Sequence, residues 1–356
     1  MRIGYLTHTL NPRTGAGVFS NALIDGVRTA LPKSSLVVLT SEDLLIPKKF
    51  SLLFQLGKIR AALRDCDVIH ALDGFPYGVI AAVANRTLRK PLIITAVGTG
   101  AIQKLNHPLY GRVLRWAYMQ ASLITAPSKY IAKELSRALP GIEVMVINHG
   151  VNLDHWKEAG NVLPGGVTKP YILSVGAIKR RKGYHVSLRA FALARKKHTN
   201  LQYVIVGNPA QSPDYFRELT QIISEEELGD SVRFVHGVSL PVLGALYAKA
   251  ELFLLLPQNI AGDVEGFGLV FLEAASAGLP VVASSGTAAE DAVHDGTSGV
   301  LVPGDSPKEV AAAITKIISN GGERGRLAKG AKQFAESMTW QQQIDHYVEE
   351  YKRFQS

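Results

Sequence analysis

The sequence predicts an α/β protein of two successive domains, each a parallel sheet with helices on both faces. Three observations carry that prediction: the length, an alternation of short apolar runs with helical patterns, and a restart of that alternation midway. The chain has 356 residues, 47% of them apolar and 19% charged. At roughly 100–200 residues per domain, this is enough for two domains with substantial cores.

In the first half, Ile3–Thr7, Leu36–Thr40, Val68–Ala71, Leu92–Ala96, Leu123–Ala126 and Val144–Ile147 read as strands. Between them, Gly17–Leu31, Phe50–Leu63, Tyr77–Leu88, Pro108–Met119 and Lys129–Leu139 have helical spacing. Such alternation implies βαβ units and therefore parallel strands. Asn148 to Pro170 carries Gly160, Pro164, Gly165 and Gly166 and reads as a boundary loop. Strands then resume at Tyr171–Val175, Tyr203–Val206, Val232–Val235, Leu252–Leu256 and Pro280–Ala283. Helices resume at Tyr184–Lys196, Tyr215–Glu226, Leu240–Lys249, Leu269–Ala277, Lys308–Ser319 and Arg324–Glu336, and a last one runs from about Gln341 to Phe354. The expected architecture is two Rossmann-like parallel-sheet domains, 1–160 and 161–336, facing across a cleft. Open parallel sheets bind ligands outside the carboxyl ends of their strands, and clefts between domains are favoured sites.

Composition narrows the function. A lone Cys66 excludes a disulfide scaffold and a Cys-based zinc site. No apolar run reaches the about 18–20 residues of a membrane span. Met1–Thr7 reads as a strand rather than a signal peptide, so a cytoplasmic protein is expected. No clustered His ligand set appears, and neither a metal nor a cofactor is expected. The net charge is +9, and residues 1–165 carry all of it, with 19 Lys+Arg against 10 Asp+Glu. That half suits an anionic acceptor or a membrane surface, although ordinary solubility charge accounts for it equally. Phe50–Leu63, with Lys58, Arg60 and Arg64, reads as a core-packed helix or as one lying on anionic lipid at the inner membrane surface; Arg112, Arg115 and Trp116 pose the same choice. No nucleic-acid-binding module is recognised, and no nucleic-acid partner is expected.

The most informative segment is Gly262–Ala283. Gly266 and Gly268 flank Phe267, and a helix then opens at Leu269 and Val270. Glycines let a backbone approach a ligand, and the free amides of a helix N-terminus bind phosphate. Glu265 precedes the helix and Glu273 lies inside it, in an otherwise apolar run. A buried carboxylate needs partners, and paired sugar hydroxyls are suitable ones. Eight helical residues span about 12 Å, comparable to the distance from a sugar across a diphosphate to a ribose. A second element, Ser174–Gly183, follows a strand with Gly176 and then Lys179, Arg180, Arg181 and Lys182. Four bases after a glycine turn can neutralise a diphosphate, or can be a solvated basic turn. Asn11–Gly17, with Gly15 and Gly17, is a phosphate-approaching loop or a plain tight turn. Asp73, after Val68–Ala71, is placed to meet acceptor hydroxyls; His70 on that strand reads as a satisfied core histidine.

Glu265 and Glu273 with seven residues between, then Ala274, Gly278 and Pro280-Val281-Val282-Ala283, closely resemble the signature of retaining glycosyltransferases of family 4. The resemblance covers essentially the whole chain. It implies the glycosyltransferase-B fold, with residues 337–356 as a helix packing back on the first domain. It implies a metal-independent hexosyltransferase-like enzyme taking a UDP-, GDP- or ADP-linked sugar to an acceptor hydroxyl, in glycan, polysaccharide or glycolipid synthesis. Glu273 would bind the ribose hydroxyls, Glu265 the donor sugar, and the amides of Gly266, Phe267, Gly268, Leu269 and Val270 the sugar and phosphate. Glu265, Lys182 and Arg181 would carry the catalysis, with the leaving phosphate deprotonating the acceptor. Lys182 and Gly183 match the family's basic loop, whereas Ala177 stands where relatives have Arg. Gly15 and Gly17 match a loop closing on donor and acceptor. Val97 stands where many relatives carry His. Glu290 matches a donor-side acid and His149 the crossover between domains. A nucleotide-sugar isomerase of the 2-epimerase type, or a non-catalytic nucleotide-sugar-binding protein, are the alternatives on the same fold.

Overall fold

The computed structural model describes residues 1–12, 14–43, 52–156 and 159–355, which form two compact units. The first holds Met1–Gly150, Ala261–Phe267 and the stretch from Trp340; the second holds Val151–Ile260 and Gly268–Thr339. The division therefore falls after Gly150 rather than after residue 160. The short segment Ala261–Phe267, expected in the second domain, belongs to the first.

In the first unit the chain runs β1 (Arg2–Leu6), α1 (Gly15–Ala30), β2 (Ser35–Leu39), α2 (Leu52–Leu63), β3 (Val68–Ala71) and α3 (Val79–Leu88). It continues with β4 (Leu92–Thr95), α4 (Gly98–Ile102), α5 (Tyr110–Met119), β5 (Leu123–Ala126), α6 (Lys129–Ala138) and β6 (Met145–Val146). The sheet is parallel, in the order β2-β1-β3-β4-β5-β6. All four residues of β3 and of β4 are buried, as strands covered on both faces must be. Side-chain caps fix two helix starts. Thr14 Oγ1 accepts the Gly17 N–H at 3.1 Å for α1, and Ser128 Oγ accepts the Ile131 N–H at 3.2 Å for α6.

The second unit contains β7 (Tyr171–Val175), α7 (Tyr184–Arg195), β8 (Gln202–Val206), α8 (Pro213–Glu225), β9 (Val232–Val235) and α9 (Leu240–Lys249). There follow β10 (Leu252–Leu255), α10 (Leu269–Ser276), β11 (Val281–Ser284), β12 (Gly299–Val302), α11 (Pro307–Ser319) and α12 (Gly321–Glu336). This sheet is also parallel, in the order β12-β11-β10-β7-β8-β9. Sequence patterning missed the edge strand β12 and the short α4; α3 and α5 begin two residues later than their apolar spacing suggested. Phe50, at the expected start of the second helix, and Arg13 lie outside the described residues.

The last helix, α13 (Trp340–Arg353), packs on the first sheet through Ile344, Tyr347, Val348 and Tyr351, which join Ile3, Tyr5, Phe19 and Ile93 in one core. A buried polar chain secures it. His70 Nδ1 meets the Tyr351 hydroxyl at 2.6 Å and His70 Nε2 meets Thr95 Oγ1 at 2.7 Å. Tyr5 donates its hydroxyl proton to Tyr351 Oη at 3.1 Å. Burial pushes the His70 imidazole down to about 3. The neutral ring then donates from one nitrogen and accepts at the other, which suits a core histidine.

His149 is buried differently. Its ring stacks on Phe19, with centroids 4.6 Å apart, and also meets Phe267 and Trp340. Neither nitrogen has a hydrogen-bond partner among the described residues. Burial holds it near a pKa of about 3, against a smaller upward pull from Glu265. Unfolding restores an ordinary value near about 6.5, so below that pH the unfolded chain binds a proton the folded chain refuses. His149→Phe keeps the stacking and removes that proton. Relative to wild type, the variant should gain stability as the pH falls below about 6.5, by at most about 1.4 kcal/mol per pH unit. Urea denaturation at pH 7.5 and 5.5 measures the difference, and a pH-independent one would remove the assignment.

Candidate active site

The second sheet reverses its direction of growth between β7 and β10, the point where open α/β sheets bind ligands. Loops after these two strands converge there. Gly183, at φ +71°, brings its backbone against the Leu256 carbonyl, where a Cβ would collide. The Gln258 N–H donates to the Arg181 carbonyl at 2.7 Å. The Tyr184 hydroxyl donates to the Gly176 carbonyl at 3.0 Å. This cross-linked turn sorts the four bases. Lys179 and Arg180 are exposed, and Arg180 pairs with Glu218. Arg181 is half-buried, whereas Lys182 is only 6% exposed. A Cβ at Gly176 would sit 3.8 Å from Lys182 Nζ, so the ammonium lies beside that glycine's backbone.

Glu273 belongs to the same unit, one turn into α10. Gly268, at φ +90° and ψ 62°, turns the chain into the helix and leaves Leu269 and Val270 half-exposed in the first turn. Amides of a first helical turn have no intrahelical acceptor and favour anions. The Glu273 carboxylate is half-buried and accepts the Tyr247 hydroxyl proton at 3.0 Å. Burial raises its pKa; the Tyr247 hydroxyl and the Lys182 ammonium oppose that rise. Trp156 Nε1 donates to the Glu273 carbonyl at 3.1 Å and to Ser276 Oγ at 3.0 Å. Its ring meets Tyr247 at 4.8 Å, and Tyr247 stacks on Phe253 at 5.8 Å. Sequence patterning missed Tyr247 and Trp156, since an aromatic in a helix or loop signals only core.

Glu265, Gly266 and Phe267 sit instead on the first unit. Thr99 Oγ1 donates to Asp263 Oδ1 at 2.7 Å, and Ser128 Oγ donates to the Gly266 carbonyl at 2.8 Å. Val264 is buried in the first unit's core. Gly266 has no room for a side chain, since a Cβ there would lie 2.9 Å from Gly98 N. Loops after β4 and β5 thus clasp this segment and present half-buried Glu265 from the first unit. Val97, beside Gly98, is half-buried and packs on the first unit's core.

The first sheet reverses between β1 and β3, and the loops after them also meet: His8 Nδ1 lies 3.0 Å from the Tyr77 hydroxyl. Gly15 is exposed, whereas Gly17 is buried against the Asn11 carbonyl. Asp73, just past β3, is tightly enclosed, and its Oδ1 has no partner among the described residues. Burial raises its carboxyl to about 7, opposed by the Gly74 and Phe75 amides. A Cβ on Gly100 would lie 2.9 Å from both carboxylate oxygens, so that position must stay small. His70 belongs to the buried chain beneath α13, as expected of a core histidine, and the Glu290 carboxylate accepts the Gly286 N–H at 2.6 Å.

Comparison with known proteins adds independent findings. The family described as Glycosyl transferases group 1 matches residues 161–334, and Glycosyltransferase Family 4 matches residues 22–155. A D-inositol 3-phosphate glycosyltransferase of Thermomonospora curvata is 32% identical over 226 residues, covering 58% of this chain and 51% of that protein. The chain thus spans about half the length of several curated relatives it matches. An uncharacterized glycosyltransferase of Methanocaldococcus jannaschii is 24% identical, covering 81% of this chain and 76% of its own. Among solved structures, Anabaena HepE in complex with UDP-glucose superposes with a TM-score of 0.77 at 20% identity, covering 98% of this chain and 100% of its own. Sucrose-phosphate synthase from Thermosynechococcus elongatus gives 0.77 at 20% identity, covering 99% and 98%.

Proposed function

The chain belongs to the family 4 glycosyltransferases and has the glycosyltransferase-B fold, and from that premise we propose that it moves a sugar from a nucleotide diphosphate sugar to an acceptor hydroxyl with retained configuration. The observation that carries the reading is the arrangement on the second unit: a half-buried Glu273 carboxylate between the Tyr247 hydroxyl and the Lys182 ammonium, at the reversal of the sheet. Glu273 accepts hydrogen bonds from the ribose hydroxyls. Lys182, Arg181, the Gly176 backbone and the amides of Leu269 and Val270 hold the diphosphate. Glu265 and the amides of Gly266, Phe267 and Gly268 hold the sugar. Asp73, with Gly15, Gly17 and Val97 on neighbouring loops, receives the acceptor.

In the reaction the anomeric C–O bond to the diphosphate breaks and a C–O bond to the acceptor forms. The acceptor proton passes to the departing phosphate, so no enzymic nucleophile is required. Lys182 and the helix amides stabilise the charge that gathers on the leaving oxygen. This chemistry needs no metal. The named complexes of HepE support a uridine diphosphate sugar as donor. The basic first half suits an anionic polyol acceptor, and the inositol phosphate in the relatives' names is the first to try.

A thermal-shift screen over UDP, GDP and ADP should show the largest shift with UDP. UDP release from UDP-glucose should then require an acceptor. Isomerisation of the donor without acceptor, or binding without turnover on any acceptor pool, would overturn the proposal.

A further inference from the structure

Globular helices bury one side and expose a polar one. α5 departs from that rule. Its inner side, Gly111, Leu114, Ala117 and Tyr118, is buried. Its outer side carries Leu109 at 64% exposure, Val113 at 37% and Met119 at 61%, with half-buried Trp116 among them. Spacings of three and four residues line these up along one face. Tyr110 at the first turn is also exposed, so half of the eight exposed large apolar side chains among the described residues sit on this one element and its approach. Isolated exposed apolar residues need no explanation, whereas a contiguous group does.

The charge around this face has one sign. Exposed Arg112 lies between Leu109 and Val113 in the sequence, half-buried Arg115 follows three residues on in the same helix, and the Lys104 ammonium lies over the Tyr110 ring at 5.8 Å. From Gly74 to Lys133 the sequence has eight Lys and Arg and not a single Asp or Glu. Large apolar side chains interleaved with cations and bordered by Trp and Tyr match the chemistry of an anionic bilayer interface, where apolar groups enter the acyl boundary and cations meet phosphates. A second copy of the chain is a poor occupant, because symmetric pairing of this helix would set Arg112 against Arg112, with no acid between residues 74 and 133 to relieve it. Nucleic acid would use the cations and leave Leu109, Val113 and Met119 in water.

We propose that the outer face of α5, with the turn from Lys104 to Tyr110, docks this protein on anionic phospholipid. The surface differs from α2, the other sequence candidate. There Leu56, Ile59 and Leu63 are buried in the core, and Arg60 turns inward to donate to the Val83 carbonyl at 3.4 Å.

Flotation of the full-length protein with vesicles tests this. Binding should be strong to vesicles with about one third phosphatidylglycerol in phosphatidylcholine, weak to phosphatidylcholine alone, and reduced by salt. Val113→Glu with Met119→Glu should lower binding to the anionic vesicles at least about tenfold, and Arg112→Glu should lower it about fivefold. All three positions are exposed, so the melting temperature and UDP binding should be unchanged. Wild-type binding that these variants leave intact, equal binding to neutral vesicles, or a dimer that the Glu variants dissociate in place of vesicle binding, would each overturn the proposal.

Discussion

Glu273→Ala is expected to weaken donor binding by about a hundredfold or more while leaving the fold intact. Hydrogen bonds to a charged partner contribute about 1.5–3 kcal/mol each, and a ribose diol makes two. The carboxylate is prepared for them in advance: Tyr247 holds one oxygen, and the Trp156 indole fixes the helix backbone beneath it. Glu273→Gln keeps the shape and loses the charge, so about a tenfold loss is expected. Titration calorimetry with UDP measures both. The pH dependence separates this role from a structural one. Burial raises the Glu273 carboxyl above its ordinary value, so acidification protonates it and weakens ribose binding. The wild-type affinity should fall as the pH drops, and the Gln variant should lose that component. Equal affinities across the three proteins would end the assignment.

Much of the fold was legible because parallel strands covered on both faces are short, mostly apolar runs set between helical patterns. β3, β4, β10 and β11 are all of this kind, with every residue buried. β12 escaped because its four residues sit at the sheet edge, where two are only half-buried and follow a Ser-Gly turn. The segments proposed to hold the donor stood out in the sequence for a local reason. Gly268, the opening of α10 and Glu273 form one continuous segment, and Lys182 lies in a turn beside Gly183, which close contact with the Leu256 carbonyl requires. Tertiary support was not legible. Tyr247 lies 26 residues from Glu273, and nothing in its helical spacing distinguishes a core tyrosine from one that holds a carboxylate. The placement of Glu265 was also hidden. Only three-dimensional neighbours, Thr99 and Ser128, show that a segment eight residues from Glu273 belongs to the other unit.

Lys182→Met should slow transfer more than it weakens binding, with kcat down by about 10²–10³ and the KM for donor changing far less. A diphosphate bound to its sugar is already charged, but the bridging oxygen gains its charge only as the anomeric bond breaks. A cation fixed beside it therefore favours the transition state over the ground state. Lys182 is fixed: it is nearly fully buried in a turn cross-linked to the next loop, whereas Arg180 is exposed. Methionine retains the apolar stem and removes the charge, so the loss is electrostatic. Lys182→Arg restores charge but not the compact ammonium geometry, and should recover only part of the rate. A second readout follows from Glu273. The ammonium pulls the Glu273 carboxyl down against burial, so removing it should raise that pKa. The acid limb of the pH–rate profile should then move to higher pH in Lys182→Met. A large fall in kcat with an unmoved acid limb would detach Lys182 from Glu273, and a fall confined to donor affinity would make it a binding residue alone.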